Sequence, residues 1–170
     1  PKLASGEVLG AYSLTEANAG SDAAALRATA ELDGDEWVLN GTKMFVTTGD
    51  KAGLVIVYMR TDQEVSNAKG ISAFLVPAGI PGFTVGKHEK KTGIRGSSTV
   101  ELIFENARIP KDNLLGELNR GFPIAMDTLD GGRIGIAAQA VGIGQACLDA
   151  SIKYAQERET FGKPIFQHQA

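Results

Sequence analysis

The sequence has one cysteine, one tryptophan and two histidines in 170 residues, and no excess of positive charge. Each shortage removes a class of function. A single Cys147 forbids an intramolecular disulfide framework and a multi-cysteine metal site, and its place in a helical pattern predicts a small buried hydrophobe in a reducing compartment. His88 and His168 have no partner at metal-ligand spacing, so both are expected to be structural or surface residues and no metal site is expected. Lys and Arg total 17 against 20 Asp and Glu, a net charge of −3 that argues against nucleic-acid binding, which needs a basic face. No run approaches the ~18 apolar residues that cross a bilayer, and no charged stretch followed by an apolar one opens the chain, so membrane insertion is not expected. The remaining composition, 43% hydrophobic and 22% charged residues, is that of a folded globular protein.

The chain begins at Pro1 rather than Met, and its last ten residues, FGKPIFQHQA, read as the opening of a further helix. A piece of a longer protein is expected, with any targeting peptide lying outside it.

Two halves differ in period. From Val8 to about Ile109, short β-type runs are broken by turn dipeptides, the pattern of an antiparallel sandwich or barrel. Asp33-Gly34 separates Arg27–Leu32 from Glu36–Leu39, and Asn40-Gly41 separates that run from Thr42–Thr48. Both dipeptides suit the positive φ angles of tight hairpins, so a three-stranded meander is predicted. Further strands are expected at Leu54–Arg60, Ile71–Val76 and Ser98–Glu105, the last with Val100, Leu102 and Phe104 on one face. The stretches Thr61–Gly70 and Pro77–Gly82 read as loops.

After Pro110 the period lengthens. Ile134, Val141, Leu148 and Ala155 recur every seven residues and predict a helix from Gly132 to about Arg158, roughly 40 Å long at 1.5 Å per residue. Its many small residues, among them Ala137, Gly142 and Gly144, suit close packing against another helix. A long helix attached to a β-domain needs partners, and most of them are not in this sequence.

Three segments carry chemistry. In Y-S-L-T-E-A-N-A-G-S-D (12–22), the small loop Ala19–Asp22 offers backbone N–H groups and a hydroxyl suited to a pyrophosphate, or is simply a turn. There is no Walker loop and no G-x-G-x-x-G opening a helix. In G-T-K-M-F-V-T-T-G (41–49), strand alternation puts Phe45 and Thr47 on one face, where they could flank a flat heteroaromatic ring, or form part of a core and a cross-strand pair. In Q-E-R-E-T-F-G-K-P-I-F-Q-H-Q (156–169), Arg158 follows the helical stripe and, taken alone, reads as a solvated charge.

In this order and spacing, the three segments resemble the acyl-CoA dehydrogenase family. The resemblance runs along the whole chain, through GIRGSSTVELIFENARIPKDNLLGE (93–117) and DGGR (130–133). Departures are few: Ala17-Asn18 stand where Pro-Gly is frequent, Phe45 where Trp is frequent and Thr48 where Asn is frequent. The resemblance implies an α+β chain in which a sandwich- or barrel-like middle β-domain (1–113) is followed by the start of an all-α four-helix domain (114–170).

The resemblance also implies FAD as cofactor. By motif, Tyr12, Leu14 and Thr15 lie near the flavin, and Ser21 near the pyrophosphate and the acyl-CoA. Phe45, Val46 and Thr47 lie against the isoalloxazine, Thr47 close to N5. Arg158, Thr160, Phe161 and Gln169 reach the FAD of an adjacent subunit, while Asp130, Gly131, Gly132 and Arg133 contact the CoA portion of the substrate. The implied reaction is α,β-dehydrogenation of an acyl-CoA thioester, in which a carboxylate takes the α-proton and the flavin takes the β-hydride. Most family members place that carboxylate in a later C-terminal segment, here beyond Ala170. Isovaleryl- and long-chain-type members place it just before the arginine matched by Arg133, where this sequence has Gly132, so a short-chain or butyryl-type enzyme is the nearer resemblance. The implied partners are electron-transfer flavoprotein and further copies of the chain in a homotetramer, in a bacterial cytoplasm or a mitochondrial matrix. An acyl-CoA oxidase of the same architecture is the rival reading, and a β-domain without catalytic activity is the reading for this stretch alone.

Overall fold

Alternation of apolar and polar residues sets most of the strands. The computed structural model describes residues 2–65 and 67–169. Pro1 and Ala170, on which the reading of the chain ends rests, and Ser66 of the expected 61–70 loop lie outside the described residues. The elements are β1 (Gly10–Ser13), β2 (Thr29–Asp33), β3 (Glu36–Thr47), β4 (Leu54–Arg60), β5 (Ile71–Pro77), β6 (Phe83–His88), β7 (Thr99–Pro110), β8 (Leu114–Leu115), α1 (Gly121–Glu157), β9 (Glu159–Thr160) and β10 (Lys163–Pro164). They divide into two compact units, Pro1–Met126 and Asp127–Ala170, with the boundary inside α1.

In the first unit the strands lie in the order β6-β7-β3-β2-β4-β5-β8, with β1 beside β4. Only the pair Thr29–Arg60 joins β2 to β4, so two antiparallel segments meet at one link. Both segments line one core, in which Trp37 and Leu39 of β3 meet Phe74 of β5 and Val100, Leu102 and Phe104 of β7. The Trp37 and Phe74 rings meet edge to face at 5.1 Å. The sheet is mixed rather than wholly antiparallel, because β1 runs parallel to β4 from Gly10–Leu54 to Ser13–Val57. The β2–β3 hairpin is the crossover that lets those two strands run the same way.

The Asp33-Gly34 hairpin forms as expected, with Gly34 at φ 62 and Asp33 paired to Glu36. Asn40-Gly41 does not turn. Instead β3 runs straight through it with a register shift between Leu39 and Gly41. Gly41 has φ 134, and a Cβ there would lie 2.5 Å from the Ala28 Cβ, so close strand approach fixes the glycine. Asn40 serves the same bulge across the ladder: its Oδ1 accepts from the Asn106 N–H at 2.8 Å and its Nδ2 donates to the Asn106 Oδ1 at 3.2 Å. Asn106 itself has φ 52, which carries β7 past Glu105 to Pro110, beyond the expected strand end. Strands β6 and β8 were not legible by alternation. In β6 only Phe83 is buried, stacked on Phe104 at 4.8 Å.

Helix α1 starts at Gly121, eleven residues before the expected Gly132, and at 37 residues extends about 55 Å. Its start is set by close packing, since a Cβ on Gly121 would lie 2.4 Å from the Ser72 carbonyl carbon. Pro123 is tolerated there because the first turn has no helical partner for its missing N–H. The Gly131-Gly132 pair, at about 1 kcal/mol each against Ala, does not stop the helix. Gly121 and Ala125 are its buried residues; in the second unit the stripe of Ile134, Val141 and Leu148 is exposed. Cys147 is exposed as well, so the expected burial is corrected: among the described residues, none of its own unit covers that face. The expected further helix near the end is a single 3-10 turn, Ile165–Gln167.

Candidate functional site

The loop after β1 is fixed by one buried carboxylate. Glu16 accepts from the backbone N–H groups of Arg27 at 2.6 Å and Ala28 at 3.0 Å, and from Lys43 Nζ at 2.7 Å. The Lys43 side chain is fully buried and the Glu16 side chain 5% exposed, and Lys43 Nζ also donates to the Leu14 carbonyl at 3.2 Å. Burial pulls the Lys43 ammonium down to about 8, with the Glu16 charge opposing that shift. A tight Glu16–Ala19 bridge, bonded in both directions at 3.0 and 3.1 Å, closes the loop. Ser21 is left exposed beyond it.

The same pair fastens the loop to β3. The Met44 N–H donates to the Thr15 carbonyl at 2.8 Å, so the first two motif segments lie directly against one another. Leu14 is buried and Thr15 half-buried at this seam. Tyr12 stacks obliquely on Tyr58 at 5.2 Å and donates to the Ala125 carbonyl at 3.3 Å; burial first, then Tyr58, push its phenol well above its ordinary value.

Past Lys43, β3 slips register a second time, before Val46. Phe45 sits in that bulge at φ 57 and is 57% exposed, and Thr48 follows at φ 56. A bulky residue in the left-handed region is strained by about 1–3 kcal/mol, and such strain is retained where function over-determines the backbone. Phe45 and Thr47 are both exposed, on either side of buried Val46. The Val46 side chain belongs to the core, so only its backbone is placed to meet a ligand. The Thr48 N–H donates to the Ser98 carbonyl at 2.9 Å and its hydroxyl to the Thr47 carbonyl at 2.7 Å.

The other expected residues lie in the second unit. Asp130 and Arg133 form an exposed i,i+3 ion pair on α1, and the intervening Gly131 and Gly132 have open space around them. After α1, β9 and β10 form a hairpin whose two-residue turn, Phe161 (φ 53) and Gly162 (φ 76), has the positive φ pair favoured by tight hairpins. That turn leaves the Phe161 ring 97% exposed. His168 braces it, its Nε2 lying 3.2 Å from the Thr160 hydroxyl and 3.1 Å from the Thr160 carbonyl. The Arg158 carbonyl accepts from the Ile165 N–H at 2.8 Å, while its side chain is exposed, as is Gln169.

Within the first unit, then, Thr15 meets the Lys43–Thr47 run. Within the second, Thr160 and Phe161 share a hairpin braced by His168. Glu16 and Lys43, which organise the first site, were singled out for nothing in the sequence reading. The signal available was their opposite charge in two motif segments separated by one hairpin. Among the described residues, no group of three His, Cys, Asp or Glu is placed to hold a metal ion, and no helix is long and apolar enough to cross a membrane.

Residues 11–107 match the family model for the acyl-CoA dehydrogenase middle domain, and residues 119–170 the model for its C-terminal domain. The chain is 56% identical over 166 residues to the mitochondrial short-chain specific acyl-CoA dehydrogenase of Bos taurus, covering 98% of this chain and 40% of that protein. It is 53% identical over 167 residues to an acryloyl-CoA reductase (NADH) of Anaerotignum propionicum, covering 97% and 42%. The butyryl-CoA dehydrogenase structure from Megasphaera elsdenii superposes with a TM-score of 0.94 at 47% identity, covering 99% of this chain and 44% of that one. The chain thus spans about two fifths of the length of the curated relatives it matches.

Proposed function

This chain belongs to the acyl-CoA dehydrogenase family, and from that premise we propose that the protein carrying it is an FAD-dependent, short-chain acyl-CoA dehydrogenase. The observation that carries the reading is the clamp of Glu16 and Lys43, which holds Thr15 against β3 and leaves Phe45 and Thr47 exposed beside that seam. Folding alone does not favour an exposed aromatic ring in left-handed backbone next to an exposed hydroxyl, so the residues present fit a flat polar-edged ring. FAD would supply the hydride acceptor.

This chain's residues supply binding and orientation. Phe45 offers a ring face, the Val46 backbone lines the seam, and the Thr47 hydroxyl donates to the flavin edge near N5. Tyr12, Leu14 and Thr15 border the same ring, and the Ser21 hydroxyl donates to phosphate oxygens of cofactor and substrate. Arg158 offers a charge-assisted fork to phosphate of the FAD in a neighbouring subunit, with Thr160, Phe161 and Gln169 completing that contact. Asp130, Gly131, Gly132 and Arg133 take the CoA portion of the thioester. The base that removes the α-proton belongs to the part of the relatives that this chain does not cover, because the position before Arg133 is Gly132. A homotetramer, passing its electrons to electron-transfer flavoprotein in a bacterial cytoplasm or mitochondrial matrix, completes the reading.

The test is the absorption spectrum of the full-length protein before and after anaerobic addition of butyryl-CoA. Bleaching of the flavin bands is expected. Flavin bands that persist would overturn the substrate, and absence of bound flavin the whole reading. The similarity to an acryloyl-CoA reductase supports a second reading, in which the same site runs towards the saturated thioester. Oxidation of the reduced flavin by acryloyl-CoA faster than reduction by the saturated thioester would favour it.

A further inference from the structure

Two left-handed residues bracket the dipeptide Val46-Thr47 at the end of β3. Phe45 has φ 57 and Thr48 φ 56. Glycine and asparagine take that conformation readily, whereas a β-branched residue is an outlier there, so the surrounding structure must hold Thr48 in place. What holds it is Ser98, gripped twice by residues 48–50. The Thr48 N–H donates to the Ser98 carbonyl at 2.9 Å, and the Ser98 hydroxyl donates to Asp50 Oδ1. Ser98 directly precedes β7, whose first residue, Thr99, pairs with Thr47. Between the two grips Gly49 lies flat on the core, where a Cβ would stand 2.9 Å from the Val100 Cγ2. The Lys51 and Ala52 N–H groups close the turn on the Thr48 carbonyl, each at 3.0 Å.

The Asp50 side chain is 12% exposed and pairs with Lys51 at 3.3 Å. The Ser98 bond holds its carboxyl below the usual carboxylate value, with burial opposing and Lys51 assisting, so the acceptor is ionised at neutral pH and the bond is charge-assisted. We propose that Asp50 is a positioning residue: acting through Ser98, it keeps Thr48 left-handed and so keeps the exposed Thr47 hydroxyl aimed at the edge of the ring that Phe45 faces. The inference rests on the reading of that ring as a flavin, and deepens it by naming the group that fixes the hydroxyl donor. Without the carboxylate, Thr48 is free to relax towards extended backbone, and a rotation there re-aims the residue before it.

The test uses the full-length, flavin-bound protein with Asp50→Ala, which removes the acceptor, and Asp50→Asn, which keeps an oxygen in its place. Flavin reduction at saturating butyryl-CoA is expected to slow about fivefold in the alanine variant with KM unmoved, and to recover most of that rate in the asparagine variant. Added to Thr47→Val, Asp50→Ala should bring no further loss, because both changes act on one hydroxyl. Thr48→Asn, which takes φ 56 readily, should restore the alanine variant. A rate equal to the parent's, a full second loss on top of Thr47→Val, or a loss that Thr48→Asn leaves in place overturns the proposal. Amide exchange reads the turn apart from the chemistry. In the same proteins, residues 47–52 should exchange about tenfold faster in Asp50→Ala, with β4 unchanged, and equal exchange overturns the proposal whatever the flavin does. A parent that binds no flavin, or whose flavin butyryl-CoA does not reduce, overturns the proposed function instead, and exchange then decides the role of Asp50 alone.

Discussion

The candidate site residues on β1–β3 and those on the second unit's part of α1 and the β9–β10 hairpin are held on opposite principles. In the first, Glu16 and Lys43 are buried, bonded to one another and to three backbone groups, and the exposed Phe45 rests on that frame. In the second, Asp130, Arg133, Arg158 and Phe161 stand exposed, and among the described residues of their own unit none is buried. The first set owes its geometry to its own packing, whereas the second presents groups whose geometry is completed by whatever they bind. Substitutions should therefore separate the two: losses of stability at the buried frame of the first, losses of binding without losses of stability in the second.

The largest effect is expected at the clamp. In the full-length protein, Glu16→Ala leaves a buried ammonium without its counter-charge and should destabilise the β-unit by about 3–5 kcal/mol, read from the denaturant midpoint. Glu16→Gln with Lys43→Met removes both charges and should lose only about 1–2 kcal/mol, mostly from the Arg27 and Ala28 amides. If the single and double variants lose equal stability, charge burial is not what the pair is about. Next comes Gly41→Ala, which places a methyl against Ala28 at φ 134 and should lose about 3 kcal/mol by the same measurement. A neutral result there would mean that the bulge relaxes.

Arg158→Ala should leave the midpoint unmoved and weaken FAD retention about tenfold on dialysis. A shift in midpoint would erase the contrast between the two sets. Thr47→Val keeps shape and removes the hydroxyl, and should slow flavin reduction about fivefold with little change in folding. Equal rates by stopped-flow absorbance would break the proposed contact. The smallest effect is a pH dependence. The folded pKa of Lys43, about 8, lies below its ordinary value of 10.5, so the unfolded chain holds more protons between those values. Stability from this group is lowest below pH 8 and rises as pH climbs towards 10.5. The stability difference between the parent and the Gln/Met variant should therefore move in the parent's favour across that window, and a flat difference would refute the shift.

Much of this was legible in the sequence because it is local. Val100, Leu102 and Phe104 alternate and are buried, and the chain turns at Asp33-Gly34 because Asp33 pairs directly with Glu36. Asn40-Gly41 carries the same local signal as a turn and is a bulge, because what selects its conformation is Ala28 and Asn106, distant in sequence. Strand β6 lies at a sheet edge with one buried residue, which leaves no alternation to detect. The three motif segments were readable as a set, but the reason the first two meet was not. A lysine inside a strand reads as a solvent-facing charge until a carboxylate from another loop is known to reach it. Helix α1 was half legible: its stripe was found, and its start was missed because Gly121 is fixed by contact with β5 rather than by a capping pattern.

The Phe161 ring, 97% exposed at the tip of its hairpin, separates two kinds of selection on the chain. Almost none of its surface is removed from water by its own unit, so a library screened for folding should accept nearly any side chain at that position. Only a screen for what the hairpin touches would show a preference for the ring. Variation at position 161 should thus report on the ligand or neighbouring subunit, and scarcely at all on the fold that carries it.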